Sequence, residues 1–279
     1  MDKQITLRVL LSSFAGLKLE NRFLIDTDNC GLSVVIHDSG LRYSSGLGHR
    51  GYEMKKVELI IFDMDGLMFD TEKISFISWK KAAHKYDYEI DEEIFKKTIG
   101  ANLNRTIEIY LAHFGERFPI DAIRDERFKV AENLINLNGV PVKKGLYELL
   151  NYLKETDIKI AVATSTSRQR AMTLLKMVGI DMHFDYVLCG DEIEHSKPHP
   201  EIFLKVSERL CCLPENCIVL EDSEVGIIAA NRAGMIPIMI PDMKEPEEEI
   251  KKLIYKQLDS LHDVKTILED IYRQSQKEA

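Results

Sequence analysis

Residues 57 to 62 form an almost unbroken apolar run, Val-Glu-Leu-Ile-Ile-Phe, that stops abruptly at Asp63-Met-Asp65-Gly66. A run of this kind suits a parallel strand covered on both faces. A buried strand rarely ends in two acids unless something offsets their repulsion and desolvation, and a divalent cation would do so. Gly66 would let the backbone turn sharply and approach a ligand closely. Similar apolar runs occur at 158–163, 186–189, 217–220 and 236–240. Between them lie helical stripes, Leu146, Leu149, Leu150 and Leu153, then Ala171, Leu174, Leu175 and Val178. Strand–helix alternation predicts an α/β fold built on a doubly wound parallel sheet.

One stretch breaks the alternation. Helices are predicted near 71–86, 91–98, 103–114 and 121–137, with no strand between them. Leu103, Ile107, Tyr110, Leu111 and Phe114 mark the helical period. Residues 70–141 therefore read as an inserted all-helical subdomain, and Gly139-Val-Pro141 as its return to a core made of 54–69 and 142–279. Residues 1–53 read as an extension, poorly ordered, ending in a Gly/Ser-containing linker at 39–51. Met54 opens the regular pattern, either as the natural initiator or as the end of a genuine leader. The linker holds a formal GxGxxG, Gly46-Leu-Gly48-His-Arg-Gly51. A strand follows it and nothing convincing precedes it, the wrong context for a dinucleotide fingerprint. Glu245-Pro-Glu-Glu-Glu249 reads as a solvated helix start.

The other strand ends carry complementary chemistry. Thr164-Ser165-Thr166-Ser167 opens a helix with hydroxyls and free N–H groups able to hold a phosphate. Ser196-Lys197-Pro198 supplies a lysine, and Glu221-Asp222-Ser223 a second acid pair. Taken singly, these are a turn, a helix cap, a surface lysine and a helix start. Their joint appearance at successive strand ends points to one site, because sites in open α/β sheets form at the carboxyl ends of strands.

The motifs Asp63-Met-Asp65-Gly66-Leu-Met-Phe-Asp70-Thr71-Glu72, Ala163-Thr164-Ser165, Ser196-Lys197-Pro198-His-Pro200 and Leu220-Glu221-Asp222-Ser223-Glu-Val-Gly226 resemble those of the haloacid dehalogenase-like superfamily. The likeness is to its phosphatase and β-phosphoglucomutase-like subgroup and covers residues 57 to about 270. It implies a Rossmann-like core with a helical cap, and an Mg²⁺-dependent phosphatase acting on a small-molecule phosphate ester, a sugar or nucleoside monophosphate. Asp63 would be the nucleophile and Asp65 the general acid and base. Thr164 and Ser165, with the Gly66 turn, would bind the substrate's phosphoryl group, and Lys197 would offset charge. Asp63, the Asp65 backbone carbonyl, Glu221 and Asp222 would hold Mg²⁺. The cap would set specificity, with Trp79 and Arg105 as candidates for its inner face. The resemblance leaves open a hexose phosphomutase and a catalytically silent phospho-ligand-binding protein; a dehalogenase would not need Asp65. The mutases place a cap histidine where this chain has Ser75 and a cap arginine where it has Leu103, which favours the phosphatase.

The formal net charge of −9 disfavours non-specific nucleic-acid binding. No apolar run approaches the ~18 residues of a membrane span. A weak apolar patch near Val9 is interrupted by Arg8 and does not make a signal peptide. Cys30, Cys189, Cys211, Cys212 and Cys217 are odd in number and lack CxxC spacing. They read as reduced, mostly buried thiols of a cytoplasmic protein, expected to be a monomer or weak homodimer.

Overall fold

The structure, a computed structural model, describes residues 23–26, 33–36, 56–99 and 103–275. The chain divides into two compact units, 1–50 and 51–279. The first contains an antiparallel pair, β1 (Phe23–Asp26) and β2 (Ser33–Ile36). The sequence pattern gives neither strand. The linker at 39–51 and Met54 lie outside the described residues.

The second unit begins with β3 (Leu59–Phe62), followed by four consecutive helices: α1 (Thr71–His84), α2 (Glu92–Lys96), α3 (Leu103–Phe114) and α4 (Ile120–Asn138). The chain then alternates through α5 (Leu146–Lys154), β4 (Lys159–Ala163), α6 (Arg168–Met177), β5 (Tyr186–Leu188), α7 (Glu201–Arg209), β6 (Cys217–Glu221), α8 (Glu224–Arg232) and β7 (Ile236–Met239). It ends with α9 (Glu248–Lys251), β8 (Lys256–Gln257) and α10 (Val264–Ser275). Six strands form one parallel sheet in the order β5-β4-β3-β6-β7-β8.

The register explains why the strands read as continuous apolar runs. Ile60, Phe62, Val162, Ile218 and Leu220 point to one face, packed against Leu149, Leu150, Leu174 and Leu268 of α5, α6 and α10. Leu59, Ile61, Ala161, Cys217 and Val219 point to the other, against Ile202, Phe203 and Val206 of α7 and Ala229 and Ala230 of α8. With alternation period two and both faces covered, every position must be apolar.

The helical insert has its own core, in which Trp79, Phe95, Tyr110, Phe118 and Ile123 pack together. Its two connections to the sheet run side by side. Asp70 N–H donates to Pro141 O at 2.9 Å and Lys143 N–H to Met68 O at 2.9 Å, with Phe69 bridged antiparallel to Val142.

Of the cysteines, Cys189, Cys212 and Cys217 are buried and free, and Cys211 is free but exposed. Among the described residues no helix is long and apolar enough to cross a membrane.

Gly145, just before α5, ties the helix layer together. Its φ is +91°, and a Cβ there would lie 2.1 Å from the backbone nitrogen of His262. Gly145→Ala would have to displace backbone as well as adopt a left-handed conformation. The urea midpoint should fall by the equivalent of at least about 2 kcal/mol. A shift below about 0.5 kcal/mol would show that the 261–263 turn yields freely.

Candidate active site

β3 sits at the centre of the sheet, where the strand order reverses: β4 and β5 build outward on one side and β6, β7 and β8 on the other. Such a switch point leaves a crevice beyond the carboxyl ends of the strands. Asp63 follows β3, Thr164 follows β4 and Glu221 ends β6, so the register places all three at one edge. Asp63 N–H continues the ladder by donating to Leu220 O at 3.0 Å.

Lys197 joins these strand ends. Its ammonium donates to Asp63 Oδ1 at 2.5 Å, to Glu221 Oε1 at 2.7 Å and to the carbonyl of Ala163 at 3.1 Å. The side chain is almost wholly buried, with its Nζ 5.0 Å from the centre of the Phe203 ring. Burial opposes its charge, but Asp63 and Glu221 outweigh burial and hold its pKa above the ordinary lysine value. Glu221 is fully enclosed. Its Oε2 accepts from Asp222 N–H at 3.2 Å, Ser223 N–H at 3.1 Å and Ser223 Oγ at 2.9 Å, which fixes the loop into α8.

Asp63, Glu221 and Asp222 bring carboxylate oxygens within 4.8 Å of one another, all three residues buried. One ammonium cannot balance three carboxylates. Burial, only partly countered by Lys197 and reinforced by Glu221 and Asp65, raises the Asp63 pKa to about 7. Burial and then Glu221 and Asp63 push Asp222 well above the carboxylate range. A desolvated, under-neutralised set of hard oxygen donors fits a divalent cation that prefers carboxylates and retains waters. Asp65 stands outside this cluster of carboxylate oxygens. Its Oδ2 accepts from Thr166 Oγ1 at 2.7 Å, and Thr166 N–H in turn donates to Thr164 Oγ1 at 3.1 Å.

Gly66 makes the approach possible. With φ at +85°, a Cβ there would lie 2.1 Å from Asp222 Oδ2.

A cavity of about 400 Å³ lies between the sheet edge and the helical insert. Asp63, Asp65, Thr164, Ser165, Lys197 and Asp222 line its sheet side. The insert contributes Trp79, which lines the cavity and also belongs to the helical core. Arg105 is placed otherwise. Its side chain is exposed and ion-paired to Glu108 at 2.9 Å, and it does not line the cavity. It lies on the solvent side of α3, whose apolar residues face the helical core. Thr106, its neighbour, reaches the wall instead.

Of the other wall residues, Glu72 closes the first motif and Ser75 stands at the histidine position of the mutases, whereas Arg124 and Arg127 escape a motif reading. Glu72 and Ser75 on α1 and Arg124 and Arg127 on α4 all line the cavity. Burial, with Asp65 and Asp242 adding, raises the Glu72 pKa to about 7. The signal for Arg127 was present: it continues the buried stripe Ile120, Ile123, Ala131 and Ile135 at helical spacing.

Comparison with known proteins agrees with this geometry. The family model described as haloacid dehalogenase-like hydrolase matches residues 60–240. The chain is 30% identical to a phosphorylated carbohydrates phosphatase of Thermotoga maritima, over 76% of this chain and 91% of that one. It is 27% identical to a β-phosphoglucomutase of Bacillus subtilis, over 65% of this chain and 82% of that one. Among solved structures, a β-phosphoglucomutase from Clostridium difficile superposes with a TM-score of 0.62 at 27% identity, covering 78% of this chain and 98% of that one. The parallel sheet with its switch-point acids, the family match and these relatives together establish that the chain belongs to the haloacid dehalogenase-like hydrolases, in their phosphatase and β-phosphoglucomutase-like subgroup.

Proposed function

We propose that this protein is a Mg²⁺-dependent phosphatase of small phosphorylated metabolites, sugar or nucleoside monophosphates, working in the cytoplasm. The observation that carries the reading is Lys197, which fastens Asp63 to Glu221 on the wall of the cavity. The similarity to a phosphatase of phosphorylated carbohydrates supports the substrate class.

In this reading the Asp63 carboxylate attacks phosphorus and the bond from phosphorus to the alcohol oxygen breaks, leaving an aspartyl-phosphate. Asp65, held by Thr166, gives its proton to the departing alkoxide. It then takes a proton from the water that hydrolyses the acyl phosphate. Thr164 and Ser165 hold phosphoryl oxygens, and Lys197 balances charge between Asp63 and the incoming phosphate. Asp63, Glu221, Asp222 and the Asp65 carbonyl would hold Mg²⁺, which when bound supplies neutralisation of the phosphoryl oxygens. The helical insert acts as a cap that excludes water while the ester is bound.

Asp63→Asn keeps the shape of the side chain and removes its nucleophilicity. Loss of kcat should reach at least about 10³-fold while the circular dichroism spectrum stays that of the folded wild type. Retention of a tenth of wild-type kcat would refute the assignment.

Metal binding is read independently by stability. Without a cation, the folded chain holds a proton on Asp63 up to about pH 7, whereas the unfolded chain releases it near 3.8. That contribution is complete below the unfolded value and is lost as pH rises through about 7. The cation needs the ionised carboxylates, so the melting-temperature difference between Mg²⁺ and EDTA should grow steadily from pH 5 to pH 8. A difference that is absent, or flat with pH, would remove the metal from the site.

A phosphomutase is the second reading, favoured by the β-phosphoglucomutase relative. Against it, Ser75 occupies the expected histidine position and accepts a hydrogen bond from Arg127 at 3.2 Å. A hydroxyl has no pKa near neutrality with which to shuttle protons. With β-glucose 1-phosphate and a trace of glucose 1,6-bisphosphate, inorganic phosphate should outpace glucose 6-phosphate. The reverse order would make the enzyme a mutase.

A further inference from the structure

The insert side of the cavity holds a cation with no ion-pair partner among the described residues. Arg127 projects from α4 at a position of the buried stripe, and its guanidinium lies 5.1 Å from the centre of the Trp79 ring and 4.5 Å from that of Phe128. Nη1 donates to Ser75 Oγ at 3.2 Å. Nε is buried and has no hydrogen-bond partner. Among the described residues no carboxylate forms an ion pair with this guanidinium, although neighbouring Arg124 is paired with Asp121 at 3.2 Å. Burial and the charge of Arg170 both act against the cation, with Tyr110 and then Glu72 countering only in part.

Buried N–H groups are ordinarily satisfied, and a planar guanidinium pairs best with a carboxylate or phosphate. The aromatic faces fix the direction of this fork but leave its charge unmet. Asp63 and its neighbours lie at the sheet end of the same cavity, where in the proposed function the transferred phosphoryl group would bind. An ester of a neutral alcohol would therefore dry the cap end and leave Arg127 unpaired. An ester carrying a second negative group would satisfy both ends at once.

We infer that the substrate of this site is a phosphate monoester bearing a second anionic group, carboxylate or phosphate, and that Arg127 selects it. The inference rests on the phosphatase reading for the fate of the ester, but not for its recognition.

Three matched pairs separate the sources of the second charge: 2-phosphoglycolate against ethyl phosphate, 3-phosphoglycerate against glycerol 1-phosphate, and fructose 1,6-bisphosphate against fructose 1-phosphate. The wild-type chain should favour the anionic member of at least one pair by about 30-fold or more in kcat/KM, because its rival leaves a buried donor unpaired. The pair that responds tells carboxylate from phosphate. Arg127→Gln should bring that ratio below about 3, and Arg127→Lys, which keeps the charge without the fork, should retain part of it. The same pairs are titrated by calorimetry into the Asp63→Asn chain with Mg²⁺, so that selectivity is read as a Kd ratio without turnover. Absence of hydrolysis with selective binding would refute the phosphatase reading alone. Ratios below about 3 in every pair, or a preference that survives Arg127→Gln, would overturn the inference.

Discussion

Lys197 carries a single positive charge into a nest of three carboxylates, and the arrangement of the strand ends follows from that contact. The ammonium touches groups from β3, β4 and β6 at once: Asp63, the Ala163 carbonyl and Glu221. These strands are neighbours in space but distant in the chain, so the lysine pins a non-local crevice to one geometry. Such a pair in low dielectric is costly to break from one side, because the partner left behind is charged and dehydrated. The same low dielectric makes the remaining negative charge useful. A site short of positive charge suits a divalent cation, and in the proposed reading cation and lysine together would make the edge hospitable to a phosphate dianion that the bare acids would repel.

Most of this frame was legible because the physics that builds it leaves strong marks. Strands covered on both faces must be apolar throughout, so β3, β4, β5, β6 and β7 stood out as runs, with boundaries differing by a residue or two. The acids, hydroxyls and lysine at their ends were legible because charge at the end of a buried strand needs a reason. The four helices of the insert also appeared where their apolar period placed them. β8 left no mark. It is two exposed residues, Lys256 and Gln257, joined to the sheet edge by backbone bonds alone, and backbone pairing has no side-chain signature.

The arginines of the helical insert divide in an instructive way. Arg105 and Arg127 are both arginines on amphipathic helices, and periodicity alone says only that each interrupts or flanks an apolar stripe. Arg105 flanks it and reaches solvent. Arg127 lies within it, and aromatic rings and a serine shelter a charge that would otherwise not be tolerated there. A cavity wall is assembled from several elements, so which polar side chain faces it depends on packing between helices rather than on the order of residues along any one of them.

The paired crossing at Met68–Asp70 and Pro141–Lys143 has a further meaning for how such a molecule can change. The insert departs and returns through adjacent antiparallel segments, so its two ends are only a hydrogen bond apart. A segment whose ends already meet adds little strain to the sheet when it lengthens, shortens or repacks, since closure entropy rises only slowly with loop length. The helices can thus drift in sequence, and the wall they present can acquire or lose a charged group, while the strand ends that carry the acids and the lysine keep their register. In the proposed reading, recognition and reaction would be carried by separately variable stretches of one chain, joined at a single seam.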